Sequence, residues 1–183
     1  MNEYDYSSTG LALTRSFEGL RLEAYQDSAG VWTIGYGHTG PEVHHGQRIS
    51  AIEAEALLRS DLASAARTVR KAVQVDLAQH QFDALVDFCF NTGRGNLLGS
   101  SLLRYINQRE FDSALSQFGL WVHTGGKILP GLVRRRAAEA ALFFGHGFPA
   151  SRNATLSHTD PRPSTDVGVA EPGSALASAD GGR

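Results

Sequence analysis

Apolar positions recur at helical spacing over most of the first 145 residues, with a single change of texture near the N-terminus. Ser7 to Thr9 supply an N-cap, and Leu11, Leu13 and Phe17 form an apolar stripe that ends near Glu18. The pattern then shortens. Leu22–Gln26 and Val31–Tyr36 are rich in aromatic and β-branched residues and predict two short strands, joined by the turn-forming Asp27-Ser28-Ala29-Gly30. Gly35 to Gly46 reads as a Gly- and His-rich loop. Helical spacing resumes at Ser50, where Glu53 completes a capping box and opens a helix to about Val73, with Ile52, Ala56, Leu57 and Leu62 as its apolar positions. A second helix spans about Leu77–Asn91, with Phe82, Leu85, Val86, Cys89 and Phe90 inward, and Gly93 and Gly95 break it. Shorter helices follow at Leu102–Gln108, Phe111–Val122 and Pro130–Phe144, the last with proline in its first turn and Gly145 beyond its end. The expected architecture is α+β, a small N-terminal β-hairpin lobe beside a larger helical lobe. A cleft between two such lobes is the default place for a ligand.

Composition changes this picture at one end. Residues 146–183 hold four of the six prolines, and Phe148 is their one aromatic. Such a segment buries too little apolar surface to offset its ordering entropy, so it reads as a disordered tail after a catalytic domain at 1–145. Charge is near balance in both parts, and the whole chain carries a formal −2. That argues against nucleic acid as a partner. The one cysteine, Cys89, excludes an internal disulfide framework. No apolar run approaches the roughly 20 residues of a membrane span, and Met1 to Gly10 lacks the pattern of a secretory signal. Seven histidines invite a metal reading. His44 and His45 are adjacent and diverge on any regular element, and no HExxH or Cys/His spacing occurs, so neither metal nor cofactor is expected.

The chemistry concentrates in Phe17 to Gly40, FEGLRLEAYQDSAGVWTIGYGHTG. Glu18 ends a helix, eight residues intervene before Asp27 at the hairpin turn, and five more precede Thr33 on the return strand. Paired carboxylates of this kind suit glycosidic bond cleavage. One protonates the leaving oxygen and needs a poorly solvated site, while the other stays ionised to position water or stabilise charge on the sugar. Glu18, flanked by Phe17 and Leu20, is the better acid, and Asp27, in a polar turn, the better ionised partner; Thr33 shares the water with Asp27. Two acids nine positions apart are common in soluble proteins, however, and Glu3, Glu23 and Glu42 match by residue type.

The whole stretch resembles the phage-type lysozymes, the endolysins of glycoside hydrolase family 24. Their signature of Glu, eight residues, Asp or Cys, five residues and Thr is kept at Glu18, Asp27 and Thr33. EGLRL before the hairpin and TIGYGHTG after it are also similar. So are Phe90-Asn91-Thr92-Gly93 and the run from Gly131 to Glu139, which resembles the family's GLxxRRxxE helix. The resemblance covers about residues 10–145 and implies a lysozyme-like fold. It implies Glu18 as general acid, with Asp27 and Thr33 holding the hydrolytic water. The implied substrate is the β-1,4 bond between N-acetylmuramic acid and N-acetylglucosamine in peptidoglycan. It further implies a monomeric enzyme made in the host bacterial cytoplasm, released through a holin pore, and acting on the wall in the periplasm without inserting stably in the membrane. An antibacterial effector built on the same domain, a lytic transglycosylase and an inactive wall-binding module are the alternatives.

Other residues carry two readings each. Gly35 and Gly37 let backbone approach a sugar or serve a tight turn. His38 is site-supporting, near Glu18. Tyr36, with Trp32 and Trp121, offers a face for sugar stacking or packs the hairpin and core. Asn91 and Thr92 hydrogen-bond N-acetyl groups or cap their helix. Arg134, Arg135 and Arg136 fan around a helix and read as a solvated, salt-bridging face rather than one patch.

Overall fold

The computed structural model describes residues 4–27 and 30–146. The expected tail therefore lies outside the described residues, apart from His146, whose amide donates to the Ala141 carbonyl at 3.0 Å. Helix α1 (Ser8–Phe17) starts at Ser7, whose hydroxyl accepts from the Gly10 amide, and stops at Glu18, where the backbone turns extended. Strands β1 (Arg21–Gln26), β2 (Trp32–Gly35) and β3 (His38–Thr39) form an antiparallel sheet in that order. The loop expected at Gly35–Gly46 thus contributes a third, two-residue strand. Gly35 and Gly37 take φ of +67° and +88°, the left-handed region that only glycine enters without strain, so the tight β2–β3 turn requires both.

Helix α2 (Ala51–Ala72) opens with the expected capping box of Ser50 and Glu53. Its buried face differs from the expected one. Ile52 is 83% exposed and Ala56 is also at the surface, while Ala54, Leu58, Leu62, Ala65, Ala66 and Val69 are buried. The reason is its neighbours: α2 packs on α3 and on β2, and Ala54 is small enough to lie against Gly35. Helix α3 (Gln79–Thr92) is the centre of the helical lobe, touching α1, α2 and α7. Every residue from Phe82 to Cys89 on it is buried, Asp83 and Asp87 included. A helix surrounded on all sides has no solvent face for its polar residues. A short helix α4 (Arg94–Leu98), unforeseen because Gly93 and Gly95 read as breakers, leads to α5 (Ser101–Asn107) and α6 (Phe111–Phe118). Helix α6 stops four residues earlier than expected. The chain instead makes a second hairpin, β4 (His123–Thr124) and β5 (Lys127–Ile128), around Gly125-Gly126 with φ of +56° and +78°. Helix α7 (Pro130–Phe143) begins with proline as expected and packs on α3, α6 and α1.

The core is one cluster in the helical lobe, with Leu13, Leu62, Phe82, Leu85, Phe88, Leu102, Phe118 and Phe143 at its heart. Trp121 packs edge-on against Phe88, which supports the core reading for that ring. Cys89 is buried, and burial pushes its thiol up to about 11. Among the described residues, no helix is long and apolar enough to cross a membrane.

Candidate active site

Glu18 stands where α1 gives way to the sheet, and its amide still caps the helix by donating to the Thr14 carbonyl at 3.0 Å. Its side chain is 13% exposed. One carboxyl oxygen, Oε1, accepts from Nη1 of Arg135 on α7. The other, Oε2, is turned toward Gly37, where a Cβ would lie 3.7 Å away. Gly37 therefore serves both readings given to it. Its φ makes the turn, and its missing side chain leaves room beside the second carboxyl oxygen.

Asp27 and Thr33 meet at one residue of the hairpin. The Val31 amide donates to Oδ1 of Asp27 at 2.8 Å, and the Thr33 hydroxyl donates to the Val31 carbonyl at 3.1 Å. The turn is closed by the Asp27 amide on Val31 at 3.0 Å and by the Gly30 amide on Asp27 at 2.9 Å. This is ordinary turn chemistry for aspartate, and it fixes the carboxylate at the hairpin tip. Thr33 is buried, on the central strand, opposite Tyr25 and Thr39.

His38 lies on β3 next to the Gly37 turn, but its partners are not Glu18. Nδ1 meets Asp61 of α2 at 2.8 Å, and Nε2 meets Glu42 at 2.7 Å. Burial opposes the imidazolium, but the Glu42 and Asp61 carboxylates more than offset it and raise the histidine above its ordinary value. Glu42 is held correspondingly low by His38. His38 thus ties the sheet to α2, and the residue that holds Glu18 is Arg135. Tyr36 is half-buried against the core. The Thr92 hydroxyl donates to the Phe88 carbonyl at 2.8 Å, and Asn91 Oδ1 accepts from Arg136. The structure accordingly engages both residues of the Asn91-Thr92 pair within the helical lobe.

The arginine run overturns its expectation. Arg134 is exposed, but Arg135 and Arg136 are buried. Arg135 grips Asp87 with Nε at 2.9 Å and Nη2 at 3.0 Å while Nη1 reaches Glu18, and the Phe17 and Phe90 rings flank it at 5.7 and 6.0 Å. Arg136 places Nη1 on both oxygens of Glu139, at 2.7 and 2.6 Å, and Nε on the Trp121 carbonyl at 3.2 Å. Planar guanidinium is the group that satisfies several buried acceptors at once, which is why arginine fills these positions. Asp87 is fully buried. Burial would raise it, but Arg135 reverses the effect and holds it below the usual carboxylate range. Thr14 donates to Asp87 at 2.6 Å, and the Tyr6 phenol lies 2.7 Å from the Thr14 hydroxyl, so the network runs from α1 through α3 to α7. Sequence reasoning missed Asp61, Asp87 and Glu139. The available signal was Asp83, Asp87 and Asn91 recurring every fourth residue along an otherwise apolar helix.

The cavity of about 300 Å³ at the α2–α3 junction, lined by Val69, Val73, Val75, Leu77, Phe82 and Arg70 among others, contains none of these residues. Charge and hydrogen bonds converge instead around Glu18.

A glutamate at a helix end, an aspartate at a hairpin tip and a threonine on the return strand, backed by a buried arginine, define a lysozyme-like protein. The chain belongs to the phage lysozyme family, whose model matches residues 15–139. It is 42% identical over 173 residues to the endolysin of Bacillus phage B103, covering 93% of this chain and 65% of that one. It is 44% identical over 160 residues to the endolysin of Bacillus phage PZA, covering 85% and 62%. The chain thus spans less than two thirds of the length of these two relatives. In three dimensions it resembles the muramidase domain of SpmX from Asticaccaulis excentricus, with a TM-score of 0.73 at 41% identity, over 77% of this chain and 98% of that one.

Proposed function

We propose that this protein is a phage-type muramidase that hydrolyses the β-1,4 bond between N-acetylmuramic acid and N-acetylglucosamine in peptidoglycan. Glu18 is the general acid, and Asp27 and Thr33 hold the attacking water. The observation that carries the reading is the way Glu18 is held. Arg135 takes Oε1, which accepts a hydrogen bond whether or not the carboxyl is protonated. The proton then belongs on Oε2, on the side where Gly37 has no side chain. A carboxylic acid fixed through one oxygen, with its O–H aimed past a glycine, is positioned to protonate a leaving glycosidic oxygen. Asp27, at the polar hairpin tip, orients the water, and Thr33 lies on the same turn to order it. Asn91, Thr92, Tyr36 and His38 support this arrangement without taking part in bond cleavage. The enzyme needs no metal or cofactor, acts as a monomer, and reaches the cell wall of the producing bacterium through a holin pore at lysis.

The test is the Glu18→Gln variant on purified peptidoglycan, with mass spectrometry of the released muropeptides. The wild-type protein should release reducing N-acetylmuramic ends. The variant should keep its fold, by circular dichroism, and lose at least about 100-fold in rate, the scale of a positioned general acid. Full activity in Glu18→Gln overturns the assignment. A 1,6-anhydro product from the wild type identifies a transglycosylase instead.

A further inference from the structure

Glu18 is held twice, by its backbone and by its side chain, and both holds lead to Thr14. The Glu18 amide donates to the Thr14 carbonyl at 3.0 Å, one turn back on α1. The Glu18 carboxyl accepts from Nη1 of Arg135, Arg135 grips Asp87, and Asp87 accepts from the Thr14 hydroxyl at 2.6 Å. These hydrogen bonds close a ring that passes from α1 to α3, on to α7, and back to α1. Thr14 and Asp87 are both 0% exposed.

Each member of the ring constrains the next. Arg135 places Nε on Oδ2 of Asp87 at 2.9 Å and Nη2 on Oδ1 at 3.0 Å. A guanidinium is a planar fork, so two contacts to one carboxylate set both its plane and its rotation. The remaining Nη1 then has one direction, and Glu18 occupies it. Whatever orients the Asp87 carboxylate therefore orients the contact with Glu18. The last torsion of an aspartate side chain is broad and does not fix the carboxylate by itself. Thr14 fixes it from α1, and the Glu139 carboxyl of α7 adds a further hydrogen bond.

The direction of the Thr14 hydrogen bond follows from its neighbours. An ionised carboxylate only accepts, so the single hydroxyl proton of Thr14 goes to Asp87. The Gly10 carbonyl, at 3.4 Å, is the poorer acceptor. The Tyr6 phenol lies 2.7 Å from the Thr14 hydroxyl and 2.7 Å from the Gly10 carbonyl, and supplies the proton on that side. A serine at position 14 can make the same contact with Asp87. A valine has the same shape and cannot.

We propose that Thr14 is a positioning residue for bond cleavage, holding the Asp87 carboxylate so that Arg135 is aimed at Glu18. The inference rests on the reading of Glu18 as the general acid. Thr14 is buried and touches no substrate, so its contribution is to geometry at the reacting carboxyl. A displacement of about 1 Å at such a group can cost about 100-fold in rate. Losing one of the contacts that orient Asp87 should cost about tenfold or more.

The test uses the full chain and soluble peptidoglycan strands. Thr14→Val should lower kcat about tenfold or more with KM within about twofold of wild type, and Thr14→Ser should restore kcat. Leu102→Ala, which empties buried volume on α5, should lower Tm at least as far while leaving kcat unchanged. A folded Thr14→Val protein with wild-type kcat overturns the proposal, as does a Leu102→Ala protein with the same fall in kcat. Side-chain NMR gives a readout that needs no turnover. The Arg135 Nη1 protons should shift in Thr14→Val, although Thr14 does not touch that nitrogen, and unmoved signals overturn the proposal. If Thr14→Val does not fold, the wild-type protein decides: the Thr14 hydroxyl proton should be visible and slow to exchange with water, and rapid exchange overturns the proposal. If the wild-type protein cleaves no peptidoglycan, the muramidase reading falls, and the Arg135 signals still show whether Thr14 aims the guanidinium.

Discussion

Replacing Arg135 by methionine removes the cation on which the interior of the helical lobe is arranged. The side chain is 4% exposed, and its three nitrogens serve Asp87 and Glu18. Methionine fills much of the volume but leaves Asp87, at 0% exposure, without its counter-charge. Breaking a buried pair in this way costs about 3–5 kcal/mol. For a domain of this size that is a fall in Tm of about 10–20 °C. The sign of the pH dependence follows from Asp87. In the wild type its carboxyl is held below the usual range, so its contribution is present above the unfolded value of about 3.9 and is lost as pH falls through the folded one. In Arg135→Met burial, the largest influence on Asp87, is opposed only by the hydrogen bonds that remain, as from Thr14, and raises the carboxyl, so the penalty is large at pH 7 and shrinks toward pH 4 as Asp87 takes up a proton. Substituting both residues, Asp87→Leu with Arg135→Met, should recover most of the stability, because an apolar pair has no charge to strand. Activity should stay about 100-fold low in both variants, since Glu18 has lost the group that fixes it. Urea denaturation at pH 7 and pH 4, with wall-clearing assays in parallel, measures each part. A loss below about 1 kcal/mol at pH 7, or one that does not change with pH, would refute the reasoning.

His38 gives the opposite pH dependence. Its folded value is raised by Glu42 and Asp61, so its stabilisation is complete below the unfolded value of about 6.5 and fades as pH rises through the folded one. His38→Asn should therefore lose more stability at pH 5.5 than at pH 9 in denaturant titrations, and an equal loss at both would show that the ring acts by packing alone. Ser50→Ala removes the hydroxyl that accepts from the Glu53 amide and should cost about 1 kcal/mol, read as a Tm drop of a few degrees with activity per folded molecule unchanged.

Much of this protein was legible from local chemistry. The capping box at Ser50, the proline at the start of α7, the strands around Asp27 and the Glu18-to-Thr33 spacing all depend on residues within a few positions of one another. The second hairpin was not legible, because its strands are two residues long and carry no periodicity. The face of α2 was misjudged for a related reason. Ile52 and Ala56 satisfy helical spacing as well as Leu58 does, and only the position of the sheet and α3 decides which stripe is covered.

The sequence by itself determined the family, the helical body with its small sheet, and the three residues on which the proposed chemistry depends, because each is encoded in short-range pattern and spacing. Tertiary structure decided what lies behind them. Three consecutive arginines read as a solvated surface until α7 packs on α3 and turns two of them inward, where Asp87 and Glu139 are waiting. Whether a charged side chain is exposed or buried is a property of its neighbours and not of its own residue type. For that reason spacing alone marks Glu18 as a candidate, whereas its partner Arg135 emerges only from the fold.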